Sequence, residues 1–216
     1  MVANILSNPD GFFQELTQKE VNLKKPLLIV LITALIASVN QYFIMSKMAE
    51  AFPAELSRFL MIGAYTGVIS SLITLVVMWL IISLIMYGIS SALGGQGSFK
   101  RLFEFTGYGF VPSIISSLIT TPVMAYYISS AVVPKLSMAD IQSGEFAKDF
   151  MRTLMPADVV YFNLIISIAF LIWSFTIWTF GVKNARELEM NKAILTVLIP
   201  LIAYIAYTAY AMLNFL

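Results

Sequence analysis

Five long stretches of this chain contain no Asp, Glu, Lys or Arg: residues 26–46, 60–93, 105–133, 159–180 and 193–215. A helix needs about 20 mostly apolar residues to cross the bilayer core, and every stretch is that long or longer. Lipid offers the backbone no hydrogen-bond partner, so a crossing segment must be a helix or part of a closed barrel. The stretches lack the two-residue alternation of barrel strands. The expected fold class is therefore all-α: a polytopic membrane protein with five transmembrane helices in one bundle. Composition agrees, because 59% of the residues are hydrophobic and only 12% charged, where soluble domains carry about 25% charged residues. Stretches 60–93 and 105–133 exceed a vertical crossing and predict tilt or extension into the interface. Residues 26–216 then form a single membrane domain, preceded by a lead-in at 1–25.

The same composition removes most enzyme chemistry. Histidine and cysteine are both absent. That takes away the commonest general base, the commonest transition-metal ligand and every thiol nucleophile. An intramembrane aspartic site needs two acids at depth, and the five stretches hold none. No zinc motif and no phosphate-cradling GxxxxGK[ST] loop occurs. The run Gly94-Gly95-Gln96-Gly97 lies between two apolar stretches, without the strand–helix context of a dinucleotide site. No catalytic residue, cofactor or metal is expected. A net charge of +1 gives no general attraction to nucleic acid.

Basic residues set the expected orientation. Lys19, Lys24, Lys25, Lys100, Arg101, Lys183, Arg186 and Lys192 fall on one side, and Lys47, Arg58, Lys135, Lys148 and Arg152 on the other. The positive-inside rule puts the N-terminus in the cytoplasm and the C-terminus outside. Asp10, Glu15 and Glu20 stand where a signal peptide would be basic, so no cleavable leader is expected. Asn8 and Pro9 read as the start of a short amphipathic helix carrying Phe12, Phe13, Leu16 and Leu23. It lies either in the headgroup plane beside Lys24 and Lys25 or packed on the bundle. The long connection 134–158 reads as a lid on the outer surface. Ser137 and Asp140 form a capping box there, and Phe146, Phe150 and Leu154 recur at helical spacing.

Within the stretches, small and polar residues mark contacts. Gly63, Gly67 and Ser71 share one helix face, as do Ser113, Ser117, Thr121, Ala125 and Ser129. Small residues let membrane helices approach closely, either inside this bundle or against a partner chain. Pro122 leaves the Leu118 carbonyl without its helix donor and predicts a kink. Asn40 and Asn163, with Tyr204, Tyr207 and Tyr210, have two readings: hydrogen-bonded glue between helices or the walls of an outward polar cavity.

The run Gly94-Gly95-Gln96-Gly97-Ser98-Phe99-Lys100-Arg101-Leu102-Phe103, then Gly107-Tyr108 and Pro112, resembles the Yip domain family of polytopic membrane proteins of the Ypt/Rab-interacting type. The opening Asn8-Pro9-Asp10-Gly11-Phe12-Phe13 is similar to the start of prokaryotic members. The resemblance spans nearly the whole chain. It implies a five-span layout, a cytoplasmic N-terminus and a non-enzymatic role in organising or shaping membrane, or in scaffolding membrane partners. The sequence lacks the long N-terminal region and the Asp-Leu-Tyr-Gly-Pro segment of eukaryotic members, with which GTPase recognition is associated. The residues suggest why the motif exists. Gly94 and Gly95 suit a helix end, Ser98 a helix cap, and Gly107 and Gly109 a close backbone approach. Phe99, Leu102 and Phe103 are expected to turn toward the membrane, Tyr108 to anchor at the interface, and Lys100 and Arg101 to face anionic headgroups. The expected partners are the bilayer, other membrane proteins or a second copy of the chain. The alternative function is a small transporter or permeation pathway for a neutral or lipid-like substrate, motivated by Pro122, the hydroxyl stripe and the tyrosines.

Overall fold

The computed structural model describes residues 2–143 and 146–215, with side chains for all of these except 2, 3, 147, 148, 207–209 and 211–215. Tyr207 and Lys148 therefore lie outside the described side chains. Every regular element among the described residues is an α-helix: α1 Val2–Ser7, α2 Pro9–Thr17, α3 Lys24–Ala51, α4 Ala54–Ala92, α5 Phe99–Tyr108, α6 Val111–Ser130, α7 Met138–Ser143, α8 Phe146–Leu154, α9 Ala157–Arg186 and α10 Met190–Phe215. Four segments are long and apolar enough to cross a membrane: α3, α4, α5 together with α6, and α9. Within α10, Met190–Ala206 is a shorter apolar helical segment.

The long helices are apolar on their outer surfaces as well as at their contacts. Only 11% of the residues in the most apolar part of α4 are buried. Ile62, Ile69, Ile73 and Leu84 stand exposed along it. Water would penalise such a surface at roughly 25 cal/mol per Å², whereas lipid does not. α3 packs most extensively on α4 and then on α6, and α9 bridges α6 to α10. At the α3–α4 contact a Cβ on Gly63 would meet the tip of Met45 at 3.4 Å, and one on Gly67 would meet Gln41 at 3.6 Å. The Ser71 hydroxyl lies 3.4 Å from the Ala34 carbonyl. That small-residue face is thus filled by this chain's own first span.

The stretch expected as one span from residue 105 is broken. α5 ends at Tyr108, Phe110 bridges the corner, and α6 starts at Val111 with Pro112 in its first turn. Proline is tolerated there because the amide it lacks has no intrahelical partner. Pro122 lies inside α6, and its side chain is exposed on the outward surface.

At the end away from the C-termini of α4 and α9, the connection 134–158 carries the two short helices α7 and α8. Ser137 donates its amide and hydroxyl to Asp140, and Asp140 N–H returns a bond to the Ser137 oxygen. The two bonds that Asp140 accepts hold its carboxyl below the ordinary value. Leu136 N–H bonds the Ala51 carbonyl at 2.8 Å, tying the lid to the end of α3. Phe150 and Leu154 are buried with Ala51, Met124, Ile128 and Val159. Leu154→Ala is expected to cost about 2–5 kcal/mol, as large-to-small core changes generally do. The readout is a lower thermal midpoint in detergent and faster protease cleavage between residues 134 and 156.

Candidate functional site at the basic end

The residues of the glycine run meet the lead-in and the ends of α4 and α9 at one end of the bundle. α4 stops because Gly94 takes a left-handed conformation, φ +91°. Gly94 N–H bonds the Ser91 carbonyl at 3.1 Å, and Gly95 N–H bonds the Ser90 carbonyl at 2.8 Å. This is the paired bonding of a Schellman helix end. The turn then lies directly on the last turn of α9. A Cβ on Gly97 would overlap the Ala185 carbonyl oxygen, far inside van der Waals contact, and one on Gly95 would lie 3.2 Å from the Arg186 side chain. Gln96 N–H bonds the Arg186 carbonyl at 3.0 Å.

Arg186 is the centre of this contact and is 2% exposed. Its Nε donates to Ser90 Oγ at 3.0 Å, and Nη2 donates to Ser91 Oγ at 2.9 Å and to the Gly95 carbonyl at 2.7 Å. The guanidinium sits 4.3 Å from the centroid of the Tyr87 ring, a cation–π geometry. Nη1 is buried without a partner among the described residues. Among those residues no carboxylate pairs with Arg186. Neutral oxygens, an aromatic face and the negative end of its own helix dipole hold the charge.

α5 carries the rest of the glycine motif. Ser98 accepts from Arg101 N–H at 3.3 Å and caps the helix. Arg101 does not face headgroups. Nη1 bonds Glu104 at 2.7 Å and the Leu16 carbonyl at 3.1 Å, and Nη2 bonds the Lys19 carbonyl. Glu104 in turn accepts from Asn22 N–H at 3.1 Å. The pair staples the C-terminal part of the lead-in to α5. Lys100 is exposed and Phe99 half-buried. Leu102 is fully buried rather than turned to lipid. Phe103 stacks on Trp79 with centroids 3.9 Å apart.

Tyr108 is not an interface anchor. It is 2% exposed and lies under the lead-in, 5.2 Å from the Phe12 ring and 6.3 Å from Phe13. Of the two readings of the lead-in, the structure shows the packed one. Phe12 and Phe13 are buried against α5 and α9, and α2 is capped by Asn8 as its sequence requires. Asp10 fastens it: Lys183 Nζ lies 2.9 and 3.0 Å from the two carboxylate oxygens, and Asn184 donates at 2.8 Å. Partial burial pushes the Asp10 carboxyl up. The bonds from Asn184, Lys183 and Gln14 outweigh it and hold the group below its ordinary 3.8.

The contacts that make the α5–α6 corner escaped sequence reasoning. Trp79 Nε1 donates to the Phe103 carbonyl at 3.0 Å and lies 3.1 Å from Thr106 Oγ1. Trp178 Nε1 donates to the Thr106 carbonyl at 2.8 Å. The Ser83 and Thr106 hydroxyls are 2.6 Å apart. Gly107 and Gly109 exist for these indoles, because a Cβ on Gly107 would come within 2.6 Å of Pro26 and 2.9 Å of Trp79, and one on Gly109 would overlap Trp178. The signal was available: a buried indole N–H needs an acceptor.

Of the residues grouped as cavity candidates, Asn40 and Thr121 meet directly. Asn40 Nδ2 donates to Thr121 Oγ1 at 3.2 Å, with its own Oδ1 buried and unpaired among the described residues. Asn163 donates to Met124 Sδ at 3.0 Å and to the Val159 carbonyl. Ser117 is half-buried on α6, and Pro122 faces outward. Tyr204 lies elsewhere, on an open groove of about 660 Å³ between α9 and α10 lined by Leu164, Ser167, Ile168, Ile172 and Leu198.

The family model for the Yip1 domain matches residues 3–212. An uncharacterized protein of the archaeon Methanocaldococcus jannaschii is 44% identical over 123 residues, covering 57% of this chain and 86% of that protein. No solved structure matches.

Two outcomes are expected. Gly97→Ala should destabilise by about 1–3 kcal/mol through overpacking against a backbone oxygen. Gly88→Ala, where a Cβ meets nothing within 4 Å, should be neutral or stabilising by up to about 1 kcal/mol; paired melting curves check both. Second, Asp10 is depressed in the folded state, so its contribution is present above 3.8 and is lost as pH falls through the lower folded value. Protease sensitivity of the lead-in should rise over that acid window, and in Asp10→Asn it should be raised at neutral pH and change less on acidification.

Proposed function

This chain belongs to the Yip1 domain family, and on that premise we propose that it is a non-enzymatic membrane protein that organises or shapes the bilayer and scaffolds membrane partners. The observation that carries the reading is the clamped basic end. Lead-in, glycine turn, α5 and the end of α9 are locked to one another by Arg101–Glu104, Asp10–Lys183 and the Arg186 contacts. Lys24, Lys25, Lys100 and Lys192 stand exposed around that platform. A rigid platform with a basic rim suits the anionic cytoplasmic leaflet, at about 1 kcal/mol per lysine. On this reading the N-terminus is cytoplasmic and the C-terminus lies across the membrane. Buried polar groups here serve the fold: Glu104 is engaged by Arg101 and Asn22.

The groove between α9 and α10 favours the second reading, a pathway for a lipid-like molecule. It is apolar, open to the side, and carries Ser167 and Tyr204. Solute or lipid flux into proteoliposomes separates the two, because a scaffold transports nothing.

The chain has no cysteine, so single cysteines report topology directly. Gln96→Cys and Lys192→Cys should react with a membrane-impermeant thiol reagent only after permeabilisation, and Met138→Cys in intact cells. In anionic liposomes, rising protein density should narrow or tubulate the vesicles, seen by electron microscopy. Unchanged vesicle shape together with no crosslinked membrane partner would overturn the proposal.

A further inference from the structure

α5 serves as a ruler at the basic end, because it touches two separate segments from opposite faces. At about 3.6 residues per turn, Phe99, Phe103 and Thr106 fall on one face of α5, and Arg101 and Glu104 on the other. On the first face Phe99 packs edge-on against Tyr87, Phe103 stacks on Trp79, and the Thr106 hydroxyl meets Ser83. That stretch of α4 therefore runs level with α5. On the second face Arg101 bonds the Leu16 and Lys19 carbonyls, and Glu104 accepts from Asn22 N–H. The end of the lead-in runs level with α5 too, so two flanks of the molecule can be compared at one depth.

The flanks differ in what they expose. On the lead-in flank Gln18, Lys19, Glu20, Asn22 and Lys24 stand exposed. On the α4 flank Leu84 is 50% and Ile85 44% exposed, and a Cβ on the exposed Gly88 would meet nothing within 4 Å. This surface continues the exposed ridge of Ile69, Ile73, Val77 and Leu80, and no residue between Arg58 and Lys100 is charged. At the other end α3 and α4 finish together: Gly63 faces Met45, next to Lys47 on one helix and Arg58 on the other. The excess length of the apolar stretch 60–93 thus lies at the basic end.

We propose that the bilayer meets this molecule along an oblique line: acyl chains of the cytoplasmic leaflet cover α4 as far as Gly88, while the lead-in at the same depth stands in water. Acyl chains are the occupant because the surface is continuous with the lipid-facing ridge of α4, and water there would be penalised at each exposed Leu and Ile. The hydroxyls at the end of α4 are taken by protein, Ser90 and Ser91 both accepting from Arg186, as a helix end beside lipid requires. Lys100 and Lys192, both exposed, mark where that flank ends, and their flexible stems carry the ammonium groups outward to the headgroups. A boundary that steps across one molecule tilts it or thickens the leaflet beside α4. Either response makes the two flanks unlike to neighbouring lipid. The inference rests on the chain spanning a bilayer and deepens the shaping role, for which it supplies a geometric cause.

The test uses the full chain in liposomes, with one nitroxide label at a time on Ile73→Cys, Leu84→Cys, Gly88→Cys or Glu20→Cys. All four positions are exposed, and melting curves certify that each variant is folded. Electron paramagnetic resonance then compares collisions with molecular oxygen, which concentrates in hydrocarbon, and with a nickel chelate, which stays in water. Labels at Leu84 and Gly88 should be oxygen-dominated like the mid-span control at Ile73, and the label at Glu20 nickel-dominated. A nickel-dominated label at Leu84 or Gly88, with Ile73 still in hydrocarbon, would overturn the oblique boundary and leave the spanning reading intact. An oxygen-dominated label at Glu20 would overturn it as well, since both flanks would then lie in lipid. A label at Gly88 that is immobilised and reached by neither reagent would show a protein neighbour in place of lipid. Nickel dominance at Ile73 would remove the spanning reading and this inference together. Vesicle shape does not enter the measurement, so the proposed role and the boundary can fail separately.

Discussion

In a bilayer a polar group has only the protein to bond to, and this chain places most of its inter-helix polar bonding at one end. Arg186 with the glycine turn, Thr106 with Trp79 and Trp178, Arg101–Glu104 with the lead-in, and Asp10 with Lys183 and Asn184 all lie there. The rest of the bundle is held by packing of small and apolar side chains, with isolated bonds such as Asn40–Thr121. Membrane helices gain little from hydrophobic contact with one another, since lipid tails are equally apolar. A knot of directional bonds at one end therefore fixes which helices are neighbours, and close packing carries that order along the spans.

Arg186 shows how such a knot is made without an acid. A buried charge is costly unless it is well satisfied. Here three neutral oxygens, the Tyr87 face and a helix C-terminus share the work. The glycines are the other half of that solution. Any side chain at Gly95 or Gly97 would push the turn off α9 and withdraw the Gly95 carbonyl from the guanidinium. Burial of the turn's inner side also limits what it can offer a partner. Gln96, Ser98 and Lys100 face outward, while the glycines themselves are consumed by the fold.

The spans were legible because a helix with no charge over 20 or more residues has little use for water and fits the thickness of a bilayer. The capping box at Ser137–Asp140 and the Asn8–Pro9 helix start were legible for a local reason: both partners lie within three residues. What could not be read was long-range. Arg186 looked like one more positive-inside charge, since its partners Ser90, Ser91 and Gly95 come from the end of α4 and the turn after it, more than 90 residues earlier. Phe12 and Tyr108 have the composition of interfacial anchors and become core only because two distant segments meet. Arg101 carried a readable signal in Glu104 three residues on, the spacing of neighbours on a helix. That pairing turns the guanidinium along its own helix toward the lead-in rather than outward to phosphate.

The same distinction separates the two ends of the molecule. At the basic end, sequence features that suggested a surface (glycine turn, aromatic lead-in, paired basic residues) proved to be mutual contacts, and the exposed remainder is a ring of lysines around a closed structure. Along the spans, exposed Ile168 and Ile172 line a groove between α9 and α10 with few polar atoms. A chain built to couple an ion gradient would be expected to carry acids at that depth; here the five stretches hold none. Polar bonding and exposed lysines are concentrated at one end of the bundle and apolar surface along the spans, and the proposed role at the bilayer draws on that distribution.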